Sequence, residues 1–191
     1  APISMYSEHS QLVICDSCGE QLDCSAEELL ALGKRPLFKS HISPKMPLHQ
    51  EFLWDDIKYK VIARMIFANE SGEKTIEYLL FHPFQGTRWL AAFHGHDGIE
   101  YSLSERNLVL ARTDPLQLTA DQRLKTEDDE WWLRDGQTVV TLEYVDGALP
   151  WLAKIGDTTL VTEYINQEKD EYYLTIEKSN ISGSSFFKLY A

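Results

Sequence analysis

Between Ile76 and Gly98 the chain reads IEYLLFHPFQGTRWLAAFHGHDG, and apolar residues occupy both phases of a two-residue period. Ile76, Tyr78 and Leu80 share one face of a strand and Glu77, Leu79 and Phe81 the other, which leaves little of it for solvent. Such a strand is expected to be central. His82-Pro83-Phe84-Gln85-Gly86 joins a proline that cannot donate to a ladder to a glycine that tolerates positive φ, so a hairpin loop is predicted, with Thr87 to Phe93 running back. A shorter version recurs as Glu143-Tyr144, a turn at Asp146-Gly147, and Pro150-Trp151-Leu152-Ala153. Two readings stand: a pseudo-repeat that packs Trp89 and Trp151 into one core, or two aromatic hairpins alike by chance.

The rest of the second part of the chain follows the same short period. Tyr59, Val61, Ala63, Met65 and Phe67 alternate along a strand, and Asn69-Glu70-Ser71-Gly72-Glu73 turns it into the Ile76 strand. Ile99 to Leu103 and Leu108 to Ala111 are weaker strand candidates. A polar interval, Thr113 to Glu130, contains a helix-cap pattern at Thr119 to Gln122 and an acid cluster at Glu127 to Glu130 that reads as a solvated loop. Trp131 to Arg134, Asp135-Gly136 and Gln137 to Tyr144 together predict a hairpin, because Asp-Gly favours a type I′ turn. Ile155-Gly156-Asp157 turns into Thr158 to Ile165, and Glu171 to Glu177 and Ser185 to Tyr190 are two further strands.

Before residue 51 the pattern changes. Leu12-Val13-Ile14 runs into Cys15-Asp16-Ser17-Cys18-Gly19, a knuckle whose turn aims two thiolates at one tetrahedral ion. A closed zinc site needs four ligands, and the candidates for the others are Cys24 with His9, His41 or His49. Ser25-Ala26-Glu27-Glu28 is a capping box, and Leu29, Leu30 and Leu32 before Gly33 predict a helix of about two turns. Residues 34–50, with Pro36, Pro44 and Pro47, read as an extended connector. The expectation is a mainly β chain: an antiparallel barrel or sandwich over 51–191, preceded over 1–50 by a small partial zinc-ribbon-like knuckle, a short helix and the connector.

Composition narrows the partners. A net charge of −12, with acids spread along the chain, repels phosphate backbones, and no local basic patch argues for nucleic acid. No apolar run approaches the roughly 20 residues that span a bilayer. Three cysteines, all within Cys15 to Cys24, do not suggest a disulfide framework, and no leader reads at the start, so a cytoplasmic location is expected.

Several of these stretches, taken in order, resemble one family. Cys15 to Asp23, Tyr59 to Ile62, Glu77 to Leu90, Gly95-His96 and Leu149 to Asp157 together resemble the bacterial domain-of-unknown-function family 4178. The resemblance implies a zinc-ribbon segment joined to a β-rich domain. Family members usually carry an earlier Cys-x2-Cys pair, which this sequence lacks. No activity is implied, and therefore no catalytic residues.

Three functions compete. A metal-dependent enzyme would use His94, His96 and Asp97, since two histidines two apart on a strand project to one side. A polar turn explains the same block through Gly95 and Gly98. A non-catalytic adaptor for a protein partner would present Phe84, His96, Trp131 and Trp132, of which the adjacent tryptophans point to opposite faces of a strand. A small-ligand pocket in a barrel mouth is the third. No nucleophile elbow, phosphate loop or dinucleotide fingerprint is present, so the adaptor is the leading expectation, with Cys15, Cys18 and Cys24 reserved for structural zinc.

Overall fold

The computed structural model describes residues 10–35, 44–95, 98–105, 123–125, 131–166, 173–179 and 185–190. Their strands are β1 (Leu12–Ile14), β2 (Glu20–Asp23), β3 (Leu30–Lys34), β4 (Glu51–Trp54), β5 (Ile57–Asn69), β6 (Lys74–His82), β7 (Gly86–Gly95), β8 (Gly98–Glu105), β9 (Arg123–Lys125), β10 (Trp131–Leu149), β11 (Thr158–Asn166), β12 (Tyr173–Ser179) and β13 (Ser185–Tyr190). All pair antiparallel in one sheet, ordered β3-β2-β1-β10-β11-β12-β13-β8-β7-β6-β5-β4, with β9 beside β10. Because β10 also pairs with β5, the eight strands β5, β6, β7, β8, β13, β12, β11 and β10 pair in a cycle. Its thinnest link is β13 to β8, through Leu189↔Glu105 and Tyr190↔Ser104. Among the described residues β3 pairs only with β2, β4 only with β5 and β9 only with β10. The mainly β, antiparallel expectation holds. Among the described residues no helix is long and apolar enough to cross a membrane.

The Ile76 strand is central, as its two apolar faces require. Ile76, Tyr78 and Leu80 pack with Tyr59, Val61, Ile66 and Leu90 under Met46, Leu48 and Phe52. On the other face Leu79 packs with Met65, Trp89, Leu142 and Val145 under Leu12 and Ile14 of β1. Trp151, Leu152 and Ile155 close over that second cluster, and the rings of Trp89 and Trp151 lie 5.3 Å apart at 37°. The two tryptophans share a core, although only Trp89 lies on a strand: the Trp151 segment is a bend and loop.

Four local expectations are corrected. The helix after Ser25 does not form. Ser25 donates both its backbone N–H (2.8 Å) and its hydroxyl (2.6 Å) to the Asp23 carboxylate, and the leucines behind it become β3, paired to β2. The Asp135-Gly136 hairpin is also absent, since both residues lie inside the 19-residue β10. A type I′ turn needs positive φ at its glycine, and Gly136 is not among the positive-φ residues. Instead the register to β11 slips between Arg134 and Gly136, absorbing Asp135 as a bulge. Partners flank β10 along its length, β9 and β11 first, then β5 and β1, and their ladders outweigh a two-residue turn preference.

Asp146-Gly147 is likewise strand, not turn, with Asp146 opposite Arg64 and Gly147 opposite Ala63. Positive φ does occur there, at 91° for Gly147, but close packing demands it: a Cβ would lie 2.2 Å from the Ile62 carbonyl oxygen. Finally, the even alternation along β5 is broken by a bulge between Val61 and Ala63. Tyr59 and Val61 therefore join one core cluster, and Ala63, Met65 and Phe67 the other. The expected strand at Leu108 to Ala111, the cap at Thr119 and the acid cluster at Glu127 to Glu130 lie outside the described residues.

Candidate functional site

The sequence-predicted residues are dispersed over the sheet, and the structure adds a cluster that the sequence pattern did not expose. The knuckle is the turn between β1 and β2. It is closed by Gly19 N–H donating to the Cys15 carbonyl and Cys15 N–H donating to Glu20, both at 2.8 Å. Backbone N–H groups of Cys18 and then Ser17, followed by the Cys18 side chain, lower the Cys15 thiol below its ordinary value. Cys18 is exposed. Asp16 in the same turn meets His49 of the connector, Oδ2 to Nε2 at 2.7 Å.

Cys24 is elsewhere. Its N–H donates to the Gln11 carbonyl at 2.7 Å, at the far end of the β1–β2 hairpin from Cys15. Four residues of strand separate those levels, roughly 13 Å at the usual rise, whereas two sulfurs on one zinc lie within about 4 Å. The three cysteines therefore do not form one site: Cys15 and Cys18 fit half of one, and Cys24 does not join them. Burial, and then the Asp23 charge, push the Cys24 thiol up. No group of three or more His, Cys, Asp or Glu side chains is placed to hold a metal among the described residues. His94 sits on β7 opposite Ile99, while His96 and Asp97, like His9 and His41, lie outside the described residues.

The candidate contact residues divide by burial. Phe84 projects from the β6–β7 turn and is 93% exposed. Its backbone is held: the N–H groups of Phe84 (3.2 Å) and Gln85 (3.0 Å) donate to Nδ1 of His82, and Arg88 donates to the Gln85 carbonyl at 3.1 Å. The His82 ring stands between the Tyr59 and Phe84 rings, about 6 Å from each centroid. Trp131 is 45% exposed, with the Lys125 ammonium 5.2 Å from its ring centre. Trp132 is a correction. It is buried to 2% beside Leu124 and Asn166, so it cannot meet a partner.

The residues that sequence reasoning missed are Arg35, Arg64, Tyr144 and Asp146. Asp146 is buried in β10 and accepts from Arg64 (2.6 Å), Arg35 (2.7 Å), the Tyr144 hydroxyl (2.8 Å) and the Gly147 N–H (3.1 Å). The guanidinium of Arg35 lies 5.2 Å from the Tyr144 ring centre, and Arg64 also reaches the Met46 carbonyl. Burial alone would raise the Asp146 carboxyl; hydrogen bonds from Arg64 and Tyr144 and the charge of Arg35 outweigh it and hold it below its ordinary value. Burial and then the Asp146 charge push the Tyr144 hydroxyl up. Four donors occupy the lone-pair positions a carboxylate offers, so Asp146 has no position left to take a proton from a substrate. The cluster is a tie between the segment after β3, the connector and the body. One sequence signal was available: a carboxylate two residues after a tyrosine inside an apolar run needs a buried cation.

A cavity of about 20 Å³ beside Lys45, Tyr78 and Tyr101 holds about one water, far below the roughly 300 Å³ where ligand sites begin. No family model matches the chain, and no curated protein or solved structure matches it.

Proposed function

We propose that this chain is a non-catalytic protein-interaction domain that presents Phe84 to its partner as a fixed aromatic anchor. The observation that carries the reading is the combination at the β6–β7 turn: a side chain 93% exposed on a backbone that His82 and Arg88 hold in place. Ordering a loop on binding opposes affinity, and a turn already ordered avoids that cost. Phe84 would fill an apolar pocket, and the net charge of −12 favours a basic rim around it. Trp131, half exposed under Lys125, is a second contact.

We read the eight-strand cycle as a barrel that serves as scaffold, a reading supported by the β10–β5 and β13–β8 pairings. The free thiols of Cys15, Cys18 and Cys24 suit a reducing, cytoplasmic setting. The resemblance to family 4178 is part of this proposal and adds no activity. Zinc enters it only through Cys15 and Cys18, with two further ligands from outside the described residues. The test is affinity capture with the whole chain as bait, alongside Phe84→Ser and Trp131→Ser. A partner retained by the native chain and lost by Phe84→Ser supports the reading. Equal recovery by Phe84→Ser overturns it.

A further inference from the structure

The run His82-Pro83-Phe84-Gln85-Gly86 places a titratable ring at the foot of the loop that carries Phe84. Proline has no N–H and biases the residue before it to extended backbone, so the first N–H groups after His82 are those of Phe84 and Gln85. Both turn back and donate to one atom, Nδ1 of His82, at 3.2 and 3.0 Å. A ring nitrogen that accepts carries no hydrogen, so these bonds hold His82 as the neutral Nε2–H tautomer. An imidazolium has a hydrogen on both nitrogens and accepts at neither. Protonation therefore sets an N–H against the two N–H groups that were bonded to the ring.

The groups around the ring do not reverse this. On β7 Arg88, opposite Leu80, shares the His82 face and adds positive charge, while its guanidinium holds the Gln85 and Thr87 carbonyls at 3.1 Å. Tyr59 of β5 and Phe52 of β4 also take that face by strand alternation; Lys58, Lys60 and Glu51 take the other, where Lys58 and Glu51 pair at 2.6 Å. The connector covers the same cluster with Met46 and Leu48, but its Lys45 N–H is on the Tyr78 hydroxyl and its His49 ring is on Asp16. The Tyr59 and Phe84 rings stand 6.0 and 5.9 Å from the imidazole, the outer limit at which a π face attracts a cation. They offset little of the loss. We propose that His82 is a proton-operated catch: neutral, it fixes the β6–β7 turn and Phe84 on it; protonated, it releases both. The consequence for binding rests on the reading of Phe84 as the partner anchor: the partner is held near neutral pH and loosened in mild acid, by roughly tenfold for two such bonds.

Nuclear magnetic resonance of the whole chain from about pH 7.5 to about pH 5.5, where histidines usually titrate, tests the catch without a partner. The Phe84 and Gln85 amide signals are expected to move with the midpoint of the His82 ring, and their hydrogens to exchange faster below it. Ring nitrogen shifts above the midpoint are expected to report the Nε2–H tautomer. In His82→Asn the side-chain Oδ1 takes the place of Nδ1 as an acceptor that does not titrate, so both amides are expected to stay unchanged across the range. Amides indifferent to the His82 midpoint, an Nδ1–H tautomer at neutral pH, or equal movement in His82→Asn overturns the proposal. Affinity capture at both pH values separates the two readings. Recovery of no partner near neutrality overturns the anchor, while the amides still decide the catch; capture undiminished in acid with the turn released overturns the control of binding by His82.

Discussion

Replacing Asp146 by Asn tests the account of how the N-terminal segment is held to the body. The substitution keeps the shape and one acceptor oxygen but removes the charge that Arg35 and Arg64 share at 2.7 and 2.6 Å. Removing one partner of a buried ion pair costs about 3–5 kcal/mol, because the other charge is left desolvated. Arg35 and Arg64 keep 28% and 19% of their side-chain surface in water, which hydrates part of the orphaned charge. The expected loss is therefore about 2–4 kcal/mol, or a fall in Tm of about 5–15 °C for a chain of this length. Urea unfolding followed by tryptophan fluorescence measures it, and a double-mutant cycle with Arg35→Met isolates the Arg35 share.

The pH dependence supplies the sharper arm. Asp146 has its folded pKa lowered, with burial opposing the shift and the hydrogen bonds of Arg64 and Tyr144 and the Arg35 charge overcoming it. A lowered carboxylate stabilises the fold fully above its unfolded pKa of about 3.9 and stops doing so as pH falls through the folded value. The stability gap between native and Asp146→Asn chains should be flat from neutrality to about pH 5 and shrink below about pH 4. A loss under about 0.5 kcal/mol, or a gap that persists undiminished in acid, would refute the buried, doubly paired carboxylate.

Other expectations follow from single contacts. Gly147→Ala should cost about 3 kcal/mol or more by urea unfolding, since its Cβ would meet the Ile62 carbonyl at 2.2 Å and Ala63 Cα at 2.9 Å on a backbone at φ 91°. Gly72→Ala, at φ 84° with open space around it, should cost only about 1–2 kcal/mol by the same assay. Phe84→Ser should leave stability within about 0.5 kcal/mol while abolishing partner capture. Metal analysis of purified protein should find the zinc content of Cys24→Ser equal to that of the native chain, and that of Cys15→Ser/Cys18→Ser reduced, because only the latter pair shares a turn.

Pattern alone was enough for the elements whose neighbours agree with them. The two apolar faces of Ile76 to Phe81 required cover on both sides, and the fold supplies it; the turns at Asn69 to Glu73 and His82 to Gly86 were legible because their residues leave few other conformations. Exposure of Phe84 follows from its place at a hairpin tip. The errors share a cause. Asp135-Gly136, Asp146-Gly147 and the Ser25 capping box are strong local signals, and each was overruled by bonds or packing from outside the motif, far away in sequence for the two Asp-Gly pairs and from the neighbouring β2 segment for the capping box. The same holds for bulges: nothing within β5 marks where its faces exchange, because the slip is set by how Val61 and Ala63 meet Leu80 and Leu79. The Asp146 cluster was invisible for that reason too. Arg35, Arg64 and Asp146 are separated by tens of residues, and only the β5–β10 register and the β1–β3 hairpins bring their charges within 3 Å. Sequence determined which segments extend and where most of them turn; tertiary pairing decided which face each side chain took, and therefore which charges are buried together.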